Sequence, residues 1–174
     1  MTMSAKEKIL QAYESILINE GEKAATMDSV ARAAGVSKGG LLYHFPSKEA
    51  MAAGVVERFT ALAQQDLELM QNSAEGASTY YINVSFYEDS DFDRSIVAVS
   101  RLAQESNRAA SAALKESQDA VTRLIEQEVG DSATARAIVL LADGMYYNAA
   151  FMGTEGQAEN DREILLAAVK KLRG

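Results

Sequence analysis

The sequence contains no cysteine, one histidine (His44) and one proline (Pro46). Without cysteine there is neither a disulfide nor a thiolate metal ligand, and a reducing cytoplasm is a compatible setting. One histidine excludes a multi-histidine metal site, so no metal and no cofactor are expected. The same two shortages weigh against most nucleophilic and metal-assisted chemistry, so the chain is not expected to be an enzyme. One proline and eleven glycines in 174 residues leave few helix breakers. With many Ala, Leu, Glu, Gln and Met residues, that points to an all-α chain. No apolar run is long enough to span a bilayer, and residues 1–8 are polar and charged. Neither a secretory signal nor membrane association is expected.

Net charge is −8. Its distribution is uneven. Residues 1–48 hold six basic and five acidic residues, about +1, which leaves −9 for the rest. The acidic remainder would repel a phosphate backbone, so only the N-terminal end can dock on one.

Apolar spacing and punctuation predict about nine helices. In the first, residues 4–20, Ile9, Tyr13, Ile16 and Leu17 share one face, and Gly21 is a good terminator. A second, short helix opens with Thr26 as N-cap and ends at Gly35, with Met27, Val30, Ala31 and Ala34 on one face. Ser37 caps a third over residues 38–43. The segment Ala34-Gly35-Val36-Ser37 is thus a tight turn between two short helices, a helix-turn-helix pattern. Pro46 stops the third helix, and Ser47 caps a long connector in which Met51, Val55, Phe59 and Leu62 recur, reaching about residue 70. Further helices are predicted over about 76–88, 92–105, 109–129, 132–152 and 160–173, with a glycine-containing loop over 153–160.

Residues 26–51, from Thr26 through Ala34-Gly35-Val36-Ser37 and Tyr43-His44-Phe45 to Ser47-Lys48-Glu49-Ala50, closely resemble the DNA-binding segment of the TetR family. Thr at the start of helix two, Val-Ala in its middle and Ser-Lys-Glu-Ala after helix three all agree in order. The resemblance covers residues from about 5 to 55. It implies an N-terminal three-helix helix-turn-helix domain at 1–48 and a helical regulatory and dimerisation domain at 49–174. Ser37, Lys38, Gly39 and Gly40 then open the recognition helix, the end that enters the major groove. Two adjacent glycines each destabilise a helix by about 1 kcal/mol relative to alanine, which close approach to DNA explains better than stability does. Lys38 can reach a base or a phosphate. Tyr43 either offers its hydroxyl to phosphate or packs against the first helix. His44 is expected at the DNA, since Phe45 is the better core candidate. Lys48, read as a free lysine in the first turn of a helix, suits a phosphate, and so does Thr26. With two glycines in the helix, base reading should rest on Lys38, Leu42 and His44, with DNA shape contributing.

The eighth helix is apolar nearly all round, so it is expected to be buried on two sides. In the family this position forms a four-helix dimer interface with the last helix, which here offers Ile164, Leu165, Ala168, Val169 and Leu172. The regulatory domain should hold an apolar ligand site with a few placed polar groups. Phe59, Leu62, Met70, Phe86, Phe92, Met145 and Phe151 are the apolar candidates. Asn83, Gln104, Asp143 and Asn148 are the polar ones. The acidic surplus permits a cationic aromatic ligand. The expectation is therefore a cytoplasmic, ligand-responsive regulator, a repressor in the usual case. It would bind a palindromic double-stranded operator as a homodimer and be released by a small hydrophobic inducer. The rival reading is a helical adaptor that binds no specific DNA.

Overall fold

The computed structural model describes residues 3–152 and 158–173. Among the described residues there are nine helices and no strands. They are α1 (Ala5–Asn19), α2 (Met27–Ala34), α3 (Lys38–His44), α4 (Lys48–Gln71), α5 (Ala77–Val84), α6 (Asp91–Gln104), α7 (Arg108–Val129), α8 (Ser132–Met152) and α9 (Ala158–Leu172). The all-α expectation is met. The predicted loop lies mostly outside the described residues. Helix α5 stops at Val84, earlier than its sequence pattern suggests: the Ser85 hydroxyl donates back to the Tyr81 carbonyl (2.6 Å), and Asp89 has a φ of 56°.

The chain divides into two compact units. The first runs through Leu62 and adds Asp89–Lys115; the second comprises Ala63–Glu88 and the residues from Glu116 on. In the first unit α1 packs against α2, α3 and α6. Ile9, Tyr13 and Leu17 are fully buried there, with Val30 of α2, Leu41 of α3 and Met51 and Val55 of α4. Ser4 and Glu7 close a capping box that starts α1.

The second unit is built on Met70, Ile82, Phe86, Ile125, Ile138, Val139, Met145 and Val169. Glu128 organises its edge. It accepts the Ser78 backbone N–H (2.6 Å) and hydroxyl (3.1 Å) at the start of α5, and pairs with Arg173 at 2.8 Å. Gly76 permits this approach. Its φ is 90°, and a Cβ there would fall 2.5 Å from the Glu128 carboxylate.

Candidate functional site

The turn between α2 and α3 is fixed by backbone chemistry. Gly35 adopts a left-handed φ of 67°. Its N–H donates to the Arg32 carbonyl (3.2 Å), and the Val36 N–H donates to the Ala31 carbonyl (3.0 Å). This pair is the Schellman arrangement, which satisfies carbonyls that the helix end would leave orphaned. At the other end of α2, the Thr26 hydroxyl accepts the Ser29 N–H (3.1 Å) and the Ser29 hydroxyl accepts the Thr26 N–H (2.9 Å). Ser37 caps α3 by accepting the Gly40 N–H at 3.0 Å. Two short helices are thereby held at a set turn by groups that leave the outer face of α3 unoccupied.

That face is sorted residue by residue. Leu41 and Phe45 are buried, at 0% and 4% exposure, and anchor α3 to the core. Leu42 and Tyr43 project outward, Tyr43 at 85% exposure, so its side chain does not pack on α1. Its ring meets the half-buried His44 ring edge-on, with centroids 5.1 Å apart. Thr26, Ser37, Lys38 and Gly39 are exposed, and Gly40 is half-buried. A Cβ on Gly39 would meet nothing within 4 Å, so no packing constraint inside the chain demands glycine there.

The lysines are less available than their spacing suggests. Lys38 pairs with Asp28 at 3.0 Å on the exposed face. Lys48 is not the free lysine expected of it. Its ammonium lies 2.6 Å from the Glu22 carboxylate and donates to the Glu22 carbonyl, also at 2.6 Å. The partner comes from 26 residues upstream, a separation that local spacing does not reveal.

The candidate ligand residues fall in both units. Phe59, Leu62, Phe92 and Gln104 belong to the first. Phe59 stacks on Phe92 with centroids 6.1 Å apart, and Gln104 is exposed. Met70, Asn83, Phe86, Asp143, Met145, Asn148 and Phe151 belong to the second. Met70, Phe86 and Met145 are core residues, and the Arg162 guanidinium covers the Phe86 ring at 4.3 Å. Asn83 donates to Glu75, Asn148 is exposed, and Phe151 lies against Tyr147.

Asp143 has the most distinctive surroundings. Its carboxylate accepts the Tyr81 hydroxyl at 2.7 Å and the Gln118 amide. Both donors are neutral, and no cation pairs with it among the described residues. Burial pushes its carboxyl above the usual range, against the opposing pull of Tyr81, Gln118 and the Arg136 charge. Burial and the adjacent carboxylate in turn push the Tyr81 phenol well up. One helical turn along α8, the half-buried Tyr146 meets Tyr87 edge-on at 6.3 Å. Neither Tyr81 nor Gln118 carries a sequence signal for this role.

A second polar cluster lies in the first unit. Glu14 of α1 is 1% exposed and faces Arg58 of α4 at 3.3 Å; Arg58 also pairs with Asp91 of α6 at 3.1 Å. Its sequence signal is a carboxylate between Leu10 and Leu17 on the buried face of α1. No group of three or more metal-ligating side chains occurs among the described residues, and no described helix is long and apolar enough to cross a membrane.

Several known proteins share this architecture. A protein from Saccharomonospora viridis in complex with choline superposes with a TM-score of 0.77 at 17% identity, covering 95% of each chain. The multidrug binding protein EbrR complexed with malachite green gives 0.69 at 20% identity, covering 96% of each. A transcriptional regulator from Rhodococcus sp. Rha1 gives 0.74 at 16% identity, covering 97% of each. None of the curated protein sequences matches significantly. The family model for bacterial regulatory proteins of the tetR family matches residues 9–55, and that for the tetracyclin repressor-like C-terminal domain matches residues 75–172. Together these matches span most of the chain, which belongs to the TetR family of transcriptional regulators.

Proposed function

We propose that the chain is a cytoplasmic, ligand-responsive repressor that binds a palindromic operator as a homodimer. Residues 1–48 make the DNA-binding segment, and residues 49–174 the regulatory and dimerisation segment. The observation that carries this reading is the outward face of α3, where Leu42 and Tyr43 project while Leu41 and Phe45 anchor the helix. Ser37, Lys38, Gly39 and Gly40 enter the major groove, with Leu42 and His44 beside the bases. Thr26, Tyr43 and Lys48 take the phosphates, and these contacts set register rather than sequence.

Dimerisation places two such helices about 34–36 Å apart, one turn of B-DNA. Support comes from α8 and α9. Leu140, Leu141, Tyr147 and Met152 are exposed on α8, and Ile164 and Leu172 on α9. Gly144 sits on the same side of α8, with open space where a Cβ would be. An exposed ridge of large apolar residues with a small residue among them suits helix-on-helix packing between subunits.

The inducer is small and largely apolar, and a positive charge suits Asp143. A half-buried carboxylate bonded only to neutral donors gains from a cation, and neighbouring aromatic rings add cation–π attraction. The choline and malachite green complexes of two structural neighbours support the same ligand class. Inducer and operator favour different conformers, so each weakens the other's binding.

A gel shift against the DNA upstream of the protein's own gene, at several salt concentrations, tests the reading. Tighter binding to that fragment than to random DNA, weakening as salt rises, is expected. Equal binding to both, or no binding, leaves the adaptor reading in its place.

A further inference from the structure

Asp28 has no role in the reading above, and a carboxylate is costly on a surface that meets DNA. It sits in the first turn of α2, and its carboxylate lies 3.0 Å from the Lys38 ammonium at the opening of α3. Both side chains are exposed, Asp28 at 65% and Lys38 at 60%. An ion pair so open to solvent adds little to stability. An acid in the first turn also suits the helix dipole, but that benefit needs no lysine across the turn. On this face the carboxylate repels phosphate and cancels the attraction that Lys38 would supply.

The pair differs from Lys48–Glu22. There the ammonium is held twice, by the Glu22 carboxylate and carbonyl, and both side chains are 29% exposed. Lys38 and Asp28 meet, among the described residues, through one ion contact, from ammonium Nζ to carboxylate Oδ1. A single contact leaves N–H donors on the ammonium and lone pairs on the carboxylate. The unit is a donor and an acceptor side by side, with no net charge. Gly39 beside it is exposed and carries no side chain, so the next residue of α3 does not screen the pair.

The floor of the major groove offers a matching partner. In a G·C pair, guanine O6 and N7 accept and the cytosine N4 amino group donates. O6 and N4 are hydrogen-bonded to each other and so lie about 2.9 Å apart. That separation is close to the 3.0 Å between Lys38 Nζ and Asp28 Oδ1. Lysine on guanine and aspartate on cytosine are both favourable pairings, and one base pair satisfies both. An A·T pair sets its amino group between two single acceptors, so the ammonium loses the second acceptor that guanine provides.

We propose that Lys38 and Asp28 act as one unit that reads a single G·C base pair in each half of the operator. The Lys38 ammonium donates to guanine O6 and N7, and the Asp28 carboxylate accepts from the cytosine N4 amino group. Asp28 is then a specificity-determining residue: it keeps Lys38 from the phosphates and directs it to the bases. The proposal deepens the operator-binding reading and rests on it.

The experiment uses the full-length wild type, D28N, D28A and K38A. Each selects duplexes from a randomised pool, and anisotropy then measures its affinity for the wild-type motif and for single-pair changes in both half-sites. Circular dichroism checks that each variant is folded. The wild type is expected to require G·C at one position of each half-site and to bind at least about tenfold more weakly when that pair becomes A·T. D28A and K38A are expected to reduce this preference below about threefold at the same position. D28N is expected to favour A·T there, because an asparagine amide pairs with adenine N6 and N7. A preference unchanged in D28N and D28A, or effects of Asp28 and Lys38 that fall on different base pairs, overturns the proposal. So does D28A binding every duplex more tightly with the wild-type motif kept, which would make Asp28 a brake on charge alone. A wild type that selects no motif overturns the operator reading and this proposal with it. A motif that survives the loss of Asp28 overturns this proposal alone.

Discussion

Lys48 and Glu22 hold each other at 2.6 Å, each about 29% exposed, beside the start of α4. A lysine already paired must exchange one anion for another when it meets a phosphate. Replacing Glu22 removes both the competitor and a repulsive charge. E22Q is expected to tighten binding to all DNA alike and to steepen the salt dependence by about one released counterion. Lys48→Ala is expected to weaken binding uniformly. Anisotropy titrations at several salt concentrations on operator and random duplexes check both. An effect confined to the operator would contradict the phosphate assignment.

Glu14 makes stability depend on pH in a definite direction. Its carboxyl rises from an ordinary value of 4.5 to about 7 in the folded chain. Between these values the folded state keeps a proton that the unfolded chain has lost. Stability therefore falls as pH rises through this window, by about 3 kcal/mol at most. E14Q is expected to lose this component in urea melts between pH 5 and pH 8. A wild type and variant with the same pH profile would count against the buried charge.

Asp143→Asn keeps an acceptor for Tyr81 and removes the charge. Binding of a cationic probe, choline or malachite green, is expected to fall at least about tenfold, the equivalent of roughly 1.4 kcal/mol. Thermal stability is expected to be unchanged or higher, because a half-buried carboxylate bonded only to neutral donors is costly to desolvate. Calorimetric titration of both proteins checks this. Undiminished binding in the variant would move the inducer elsewhere.

Leu140 is 54% exposed on the apolar ridge of α8. Leu140→Glu places like charges opposite each other across a two-fold interface. It is expected to convert a dimer into a folded monomer in sedimentation equilibrium, with helical content retained. A variant that stays dimeric would place the interface on another surface.

The head was legible in the sequence because its signals are local. Thr26, Gly35, Ser37 and Pro46 each act within a few residues, so the turn and its caps could be read directly. Phe45 was the expected core residue of the same short helix, whereas the burial of Leu41 was not singled out. The packing of α6 against α1 was not legible, because periodicity shows which face of a helix is apolar but not which helix will cover it. The pairs Lys48–Glu22 and Glu14–Arg58 escaped for the same reason. The ligand candidates were chosen by residue type, and type does not distinguish core members such as Met70 from a solvent-facing residue such as Asn148. Only Asp143 acquires distinctive surroundings, from Tyr81 and Gln118 on other helices.

The most direct measurement is the operator affinity of Gly39→Leu. Space around Gly39 is open, so the side chain fits, and leucine favours the helix over glycine by somewhat less than the roughly 1 kcal/mol that separates alanine from glycine. If this helix lies against the bases, the variant should melt at the same temperature or higher and bind the operator at least about tenfold more weakly, a loss of roughly 1.4 kcal/mol. A folded Gly39→Leu protein that binds the operator as the wild type does would contradict the account.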